Sequence, residues 1–221
     1  MEMREREEIE GSKEYSSKRN PLVLLFPLNM PHPSVLKAEL RDAMVERILR
    51  MNEESRTAES RSIVRRILEF LPTDQAICAF SPLRTEPDIR PLLAEILKRN
   101  QTLYLPVFSG KALTFRRTLD LTALVNSSIG ILEPPVDAPL LSMTEPVTVL
   151  VPGRAFDSRL NRMGRGNGGY DRWIGEHRKM NGKSKYIGVA FDCQIVHEVP
   201  MEEHDARVDA VITGRGELTI S

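Results

Sequence analysis

Cysteine, aromatic side chains, net charge and long apolar runs are all scarce in this 221-residue chain, and each shortage excludes something. Only Cys78 and Cys193 are present, far apart and with no Cys-x-x-Cys pair. That argues against a disulfide framework and points to two buried hydrophobes in a reducing compartment, so the expected location is cytoplasmic. Aromatic residues make up 5% of a chain that is 41% hydrophobic, an ordinary soluble composition. Net charge is absent: 31 basic side chains balance 31 acidic ones. A protein that binds nucleic acid or an anionic membrane mainly by electrostatics normally carries a basic excess, so neither is expected as a partner. The apolar run Leu22 to Leu28 is interrupted by Pro27 and is too short to cross a bilayer, and the acidic start lacks the basic region of a signal peptide.

The length is sufficient for a core that needs no staples, since domains of this size bury roughly 70% of the surface their unfolded chains expose. The first twenty residues hold six Glu and five Lys or Arg with almost no apolar periodicity. Such a segment cannot offset the entropy of ordering, so residues 1–33 are expected to be a disordered extension ahead of a single domain over 34–221. Ser34 is the expected N-cap of a first helix running to about Met51, with a second from about Ser55 to Leu71. Strands are predicted at Ala76–Phe80, Thr102–Val107, Val147–Val151, Tyr186–Ala190, Ile195–Val199 and Val208–Thr213. Helices are predicted at Pro87–Arg99, Leu119–Val125 and Asp171–Met180. Strands alternating with helices imply an α/β fold, a three-layer α/β/α domain of Rossmann-like type with a mostly parallel central sheet.

The most informative stretch is VPGRAFDSRLNRMGRGNGGYDRW, Val151 to Trp173. Gly164, Gly166, Gly168 and Gly169 fall within six positions, and glycines let backbone N–H groups close around an anion. Arg162 and Arg165 add charge, and the following helix directs its N-terminal dipole to the same place. Between Arg154 and Lys185 there are nine basic residues against three acidic ones, so overall neutrality conceals a basic site. Asp171 stands where a phosphate-bound Mg²⁺ needs an oxygen ligand. Glycines 164, 166 and 169 also fit the spacing of a nicotinamide-binding loop, but that fingerprint follows directly on a strand, and Met163 lies twelve residues beyond Val151. A surface turn is the plainer reading of a glycine cluster alone.

These residues resemble the 5-formyltetrahydrofolate cyclo-ligase (methenyltetrahydrofolate synthetase) family, whose strongest signature looks like LVPGxAFDxxxxRxGxGxGYYD. Here it reads LVPGRAFDSRLNRMGRGNGGYD. Lys37 and Arg41 match a Lys-x-x-x-Arg pair on the first helix, Glu86 and Asp88 a Glu-x-Asp segment, and Gly130 to Pro134 a Gly-x-x-Glu-Pro. Ala190 to Thr213 matches the C-terminal pattern AFDxQxxxxVPxxxHDxxVDxVxT. The resemblance covers roughly Leu36 to Thr213. It implies a cyclo-ligase fold and the ATP-dependent, Mg²⁺-assisted conversion of 5-formyltetrahydrofolate to 5,10-methenyltetrahydrofolate, with release of ADP and phosphate. The expected partners are thus ATP and a reduced folate, and the expected state is a monomer or weak homodimer.

By the same resemblance, ATP is bound by Lys37, Arg41 and the loop Arg162, Met163, Gly164, Arg165, Gly166, Asn167, Gly168, Gly169 and Tyr170. Arg165, Asn167 and Tyr170 are the catalytic candidates. Leu83, Glu86, Asp88 and Tyr170 face the folate, while Asp171 and Asp205 fall on the Mg²⁺ positions. Other roles exist for several of these: Lys37 and Arg41 form an ordinary solvated helix face, Glu86 and Asp88 suit a helix start, and Phe115 reads as core. His204 beside Asp205 has a helper or turn role, and Glu133 is placed near the cleft without a definite one. Two positions depart from the family: Asn167 stands where Gly or Lys is usual, and Gly169 where the first of two tyrosines is. A cyclo-ligase-like paralogue that binds nucleotide but acts on another substrate, or only binds folate, is the alternative.

Overall fold

The structure, a computed structural model, describes residues 32–128 and 130–219. The expected disordered extension therefore lies outside the described residues except at its last two positions. Four helices are present among the described residues: α1 (Pro33–Arg50), α2 (Glu53–Phe70), α3 (Arg90–Lys98) and α4 (Gly169–Met180). The strands are β1 (Ala76–Cys78), β2 (Leu103–Ser109), β3 (Ala112–Thr118), β4 (Val125–Asn126), β5 (Leu132–Glu133), β6 (Val147–Pro152), β7 (Ala155–Phe156), β8 (Arg162–Met163), β9 (Lys185–Val189), β10 (Ala210–Ile212) and β11 (Glu217–Leu218).

Seven of these strands form one sheet in the order β11-β10-β9-β6-β1-β2-β3. The five inner strands are parallel, and antiparallel β11 and β3 close the two edges. Side chains alternate across this sheet with period two. Val147, Val149 and Val151 join Tyr170, Trp173 and Ile174 of α4 on one face, whereas Leu150 faces the layer of Ile63, Ile67, Leu92 and Ile96 from α2 and α3. Helix α1 packs Met44 on Ala155, Met163 and Val199 in a third cluster. The three-layer α/β/α expectation thus holds.

Four local expectations need correction. The cap of α1 is His32, whose ring accepts the Ser34 N–H, because Pro33 needs no amide partner in the first turn. Strand β3 was not anticipated; a two-residue loop with Gly110 at φ +59° turns β2 back on itself, as tight hairpins require. Leu119–Val125 forms only a 3₁₀ turn at Leu121–Ala123: Asp120 caps it by accepting the Thr122 N–H, but Leu124 is already extended and Val125 pairs with Glu133 in β4. Ile195–Val199 is not a strand: it bridges Phe156 once, and the Val199 N–H is taken by the Asp157 carboxylate.

The cleft between the glycine loop and the strand ends

Asp157, fully buried, builds the base of the loop. Its carboxylate accepts the N–H groups of Arg159, Asn161 and Val199 and the Asn161 side-chain amide, all at 2.9–3.0 Å. The Ala-Phe-Asp part of the signature is therefore architectural. Its phenylalanine explains two glycines: a Cβ at Gly153 or Gly188 would lie 2.5 Å from the Phe156 ring. From this base, β8 sends Arg162 under the loop. Its guanidinium, shielded from solvent, donates to Asp171 Oδ1 at 2.6 Å and to the Pro152 carbonyl, so the start of α4 is locked against β8.

The loop crosses to α4 through Gly166 and Gly168, at φ +103° and +65°, where a side chain would be strained. Arg41 donates to the Gly164 carbonyl at 3.1 Å and thereby ties α1 to the loop. Arg172 donates to the carbonyls of Asn167 and Lys111. The Asn167 side chain accepts the Gly169 N–H at 3.1 Å, partly satisfying the amide ends of the helix.

Opposite the loop, beyond the carboxyl end of β1, Leu83 and Glu86 close a turn on each other. The Leu83 N–H donates to the Glu86 carboxylate and the Glu86 N–H to the Leu83 carbonyl. Between this turn and the loop lies a cavity of about 280 Å³ at the ends of β1, β2 and β6. The chain leaves β1 for β2 on one side and later returns to β6 on the other, so the cavity sits where the strand order reverses. Open α/β sheets bind ligands at that point.

The cavity gathers Leu83, Glu86, Arg162, Gly164, Arg165, Asn167, Gly168, Tyr170 and Asp171 of the expected residues. Burial pushes the Glu86 carboxyl up, while the Leu83 N–H and the charges of Arg165 and Arg154 pull it back. The Tyr170 hydroxyl is buried without a hydrogen-bond partner among the described residues, as is Arg162 Nε. Burial raises the Tyr170 phenol well above its ordinary range, so it stays protonated as a donor.

Other expected residues are placed elsewhere. Met163 is packed in the α1 cluster. Asp88 accepts the N–H and guanidinium of Arg90 at the start of α3, which lowers its pKa, and it faces a wider groove of about 1030 Å³ along α2 that no residue of the glycine loop lines. Lys37 is buried with its ammonium 2.6 Å from Glu202 and 2.5 Å from Asp205. Phe115 is core, as expected. Glu133, buried, accepts the Phe108 N–H. Sequence reasoning missed Phe80, Ser81, Pro106, Phe108 and Ile131 in the cavity wall, and Arg154, which donates to Thr85 at 2.6 Å behind the 83–86 turn. The hydrophobic ends of β1 and β2 were the available signal for Phe80, Pro106 and Phe108.

A sequence profile described as the 5-formyltetrahydrofolate cyclo-ligase family matches residues 33–214. The chain belongs to this family. It is 31% identical over 154 residues to the 5-formyltetrahydrofolate cyclo-ligase of Escherichia coli K12, covering 67% of this chain and 84% of that one. With the cyclo-ligase of Mycolicibacterium smegmatis it shares 28% over 183 residues, 80% of this chain and 93% of that one. Its fold is similar to the 5,10-methenyltetrahydrofolate synthetase of Aquifex aeolicus, with a TM-score of 0.71 at 29% identity over 83% of this chain and 92% of the other. The cyclo-ligase signature and the cavity therefore coincide: the segment carrying the signature is the one that forms the loop wall. No helix among the described residues is long and apolar enough to cross a membrane.

Proposed function

We propose that this chain closes the ring of 5-formyltetrahydrofolate to 5,10-methenyltetrahydrofolate at the expense of ATP, with the cavity between the glycine loop and the 83–86 turn as its active site. The observation that carries this reading is the convergence of the family's signature loop, with Arg162, Arg165 and Asp171, on a buried carboxylate at the switch point of the sheet. A formamide oxygen is a poor leaving group. Transfer of the terminal phosphoryl of ATP to that oxygen makes it a good one; N10 then attacks the formyl carbon and phosphate leaves. The protein needs no side-chain nucleophile for this; it positions the reactants and neutralises charge on the transferring group.

The placement of these residues supports a role for each. The glycine loop from Arg162 to Tyr170 offers backbone donors to the phosphates, with the exposed Arg165 as the mobile charge and Asn167 as a neutral donor. Arg41 supports that loop from α1. Glu86, once ionised, accepts from the donor edge of a pterin, and Leu83 packs beside it; the buried Tyr170 hydroxyl is a donor in want of an acceptor. Asp88 serves the folate only from the outer groove.

Magnesium suits the oxygen donors here. Asp171 lines the cavity, and its second carboxylate oxygen has no partner among the described residues, which fits a metal that takes one or two carboxylates plus phosphates. Asp205 fits less directly. It clusters with Glu202 and His204, but the Lys37 ammonium already occupies that cluster, so Lys37 reaches a nucleotide and Asp205 a metal only by parting. When bound, the metal neutralises phosphate charge. We read the protein as a monomer or weak homodimer in the cytoplasm, the location alone being supported by the two free cysteines.

Incubation of the full chain with 5-formyltetrahydrofolate, ATP and Mg²⁺ is expected to produce methenyl absorbance together with ADP. ADP-induced thermal stabilisation without product would instead favour a nucleotide-binding paralogue with another substrate.

A further inference from the structure

The two walls of the cavity come from segments far apart in the chain, and one buried side chain reaches from the first to the second. Arg154 follows β6 at the foot of the glycine loop. Its N–H donates at 2.7 Å to the carbonyl of Met163, the residue before Gly164, and the carbonyls of Arg154 and Gly153 accept the buried Gln194 side-chain amide at 3.2 and 2.7 Å. Its backbone is thus fixed on the loop side. The side chain, buried, crosses to the opposite wall, where Nη1 donates to Thr85 Oγ1 at 2.6 Å.

Thr85 directly precedes Glu86 in the turn that presents the buried carboxylate. One oxygen of that carboxylate accepts the Leu83 N–H; the other has no hydrogen-bond partner among the described residues. From outside, Arg56 of α2 reaches the turn with a longer bond to the Arg84 carbonyl, 3.3 Å, and Arg154 reaches it from the loop side. Ionisable groups act on Glu86 from each neighbouring element: Arg154 after β6, Arg165 in the glycine loop and the Tyr170 phenol in α4, while Arg162 is paired with Asp171 and Asp88 with Arg90. Of the two arginines that favour the carboxylate, Arg165 is exposed and its charge is screened by water, whereas Arg154 is buried. Burying a guanidinium is costly unless the surroundings use its charge and its donors.

We infer that Arg154 is a positioning residue for the substrate site: anchored at the foot of the glycine loop, it holds the 83–86 turn, and with it the Glu86 carboxylate, at a fixed spacing from the loop. This rests on the proposed function for the identity of the group that Glu86 meets, the donor edge of a pterin. Arg154 touches neither reactant. It acts through Thr85, by fixing where the turn stands, and through its charge, by favouring the ionised form of Glu86 against the burial that opposes it.

The experiment uses the full chain. It reads the dissociation constant for 5-formyltetrahydrofolate without ATP from mildly acidic to neutral pH, the steady-state KM for each substrate, and amide hydrogen exchange over residues 83–86 in the ligand-free protein. Arg154→Gln is expected to weaken folate binding about tenfold at neutral pH, the size of one charge-assisted hydrogen bond, with KM rising for the folate and not for ATP. With the positive charge gone the Glu86 carboxyl titrates higher, so affinity begins to fall on acidification at a higher pH than in the parent. Arg154→Lys keeps the charge and should hold that onset at the parent's pH. Thr85→Val removes the bond and keeps the charge: exchange over 83–86 should quicken and folate binding weaken by a smaller factor, again with the parent's onset. Thr85 is only half-buried, so this variant decides the matter even where Arg154→Gln fails to fold.

Parent-like folate affinity and exchange in the folded variants, or KM values that rise together for both substrates with the onset unmoved, would overturn the positioning role and leave the ligase reading intact. Folate affinity that depends on Arg154 in a protein forming no methenyl product would keep the role and overturn turnover. Absence of folate binding by the parent would overturn both.

Discussion

Two clusters of charge flank α1, and they are finished to different degrees. At the Lys37 end one ammonium meets two carboxylates, and Asp205 also accepts the Glu202 N–H. At the loop end Arg162 and Asp171 are paired, yet Arg162 Nε and the Tyr170 hydroxyl are buried without partners among the described residues, and Arg165 is exposed at the cavity edge. Burying a polar group without a partner costs about 1–3 kcal/mol, so a native fold retains such groups where something else repays the cost. The difference supports the proposed active site: the Lys37 cluster is internally satisfied, whereas the loop cluster leaves two buried polar atoms without partners among the described residues.

The contrast breaks most severely at Asp171. Asp171→Ala leaves the Arg162 guanidinium buried without its counter-charge and should cost about 3–5 kcal/mol, read as a lower denaturant midpoint, with turnover lost as well. An unchanged midpoint would mean that the pair holds nothing together. Next comes Arg165→Ala, which sharpens the comparison by separating function from stability. The side chain is exposed, so the midpoint should move by less than about 0.5 kcal/mol, while kcat for methenyl formation should fall roughly 10²–10³-fold as a charge at the transferring phosphoryl is lost. Parallel loss of both would place Arg165 with the structural charges.

The third effect is expected at the Lys37 cluster, where it is read as a dependence on pH. Burial disfavours the Lys37 ammonium, but Asp205 and Glu202 outweigh it and raise its pKa above 10.5, while hydrogen bonding from Lys37 holds Glu202 below its ordinary 4.5. A raised lysine contributes stability that is complete below its ordinary value and lost as pH rises through the raised one. A lowered carboxylate contributes stability that is present above its ordinary value and lost as pH falls through the lowered one. The thermal midpoint of Lys37→Met should therefore trail the parent most between pH 4.5 and 10.5, and the gap should close on both sides. A gap independent of pH would assign Lys37 a packing role alone.

Much of this was legible in the chain. The run Val147 to Val151 declared a buried strand, the four-residue spacing of Ile63 and Ile67 declared the inner face of α2, and the glycine cluster with its two arginines declared an anion loop. Strand β3 escaped because its alternation ends in Arg116 and Arg117 and its hairpin signal is a single Gly110. Ile195–Val199 read as a strand because periodicity registers apolar side chains, not the Asp157 carboxylate that claims the Val199 amide from another part of the fold. Among the site residues, those joined by the continuous loop were accessible to reading. Phe108 and Arg154 were not, since they reach the cavity region from β2 and from the turn after β6.

By itself the sequence determined the alternation of helices and strands, the loop able to surround a phosphate and membership in the cyclo-ligase family, because these depend on local periodicity, glycine conformational freedom and a contiguous signature. Only the tertiary structure decided that Asp171 is bound to Arg162, that Lys37 faces carboxylates, that Asp88 pairs with Arg90 outside the cavity and that Phe108 abuts Gly169. Each of those depends on which distant backbone segments pack within a few ångströms, and side-chain partners at that range are chosen by burial and charge after the layers have assembled.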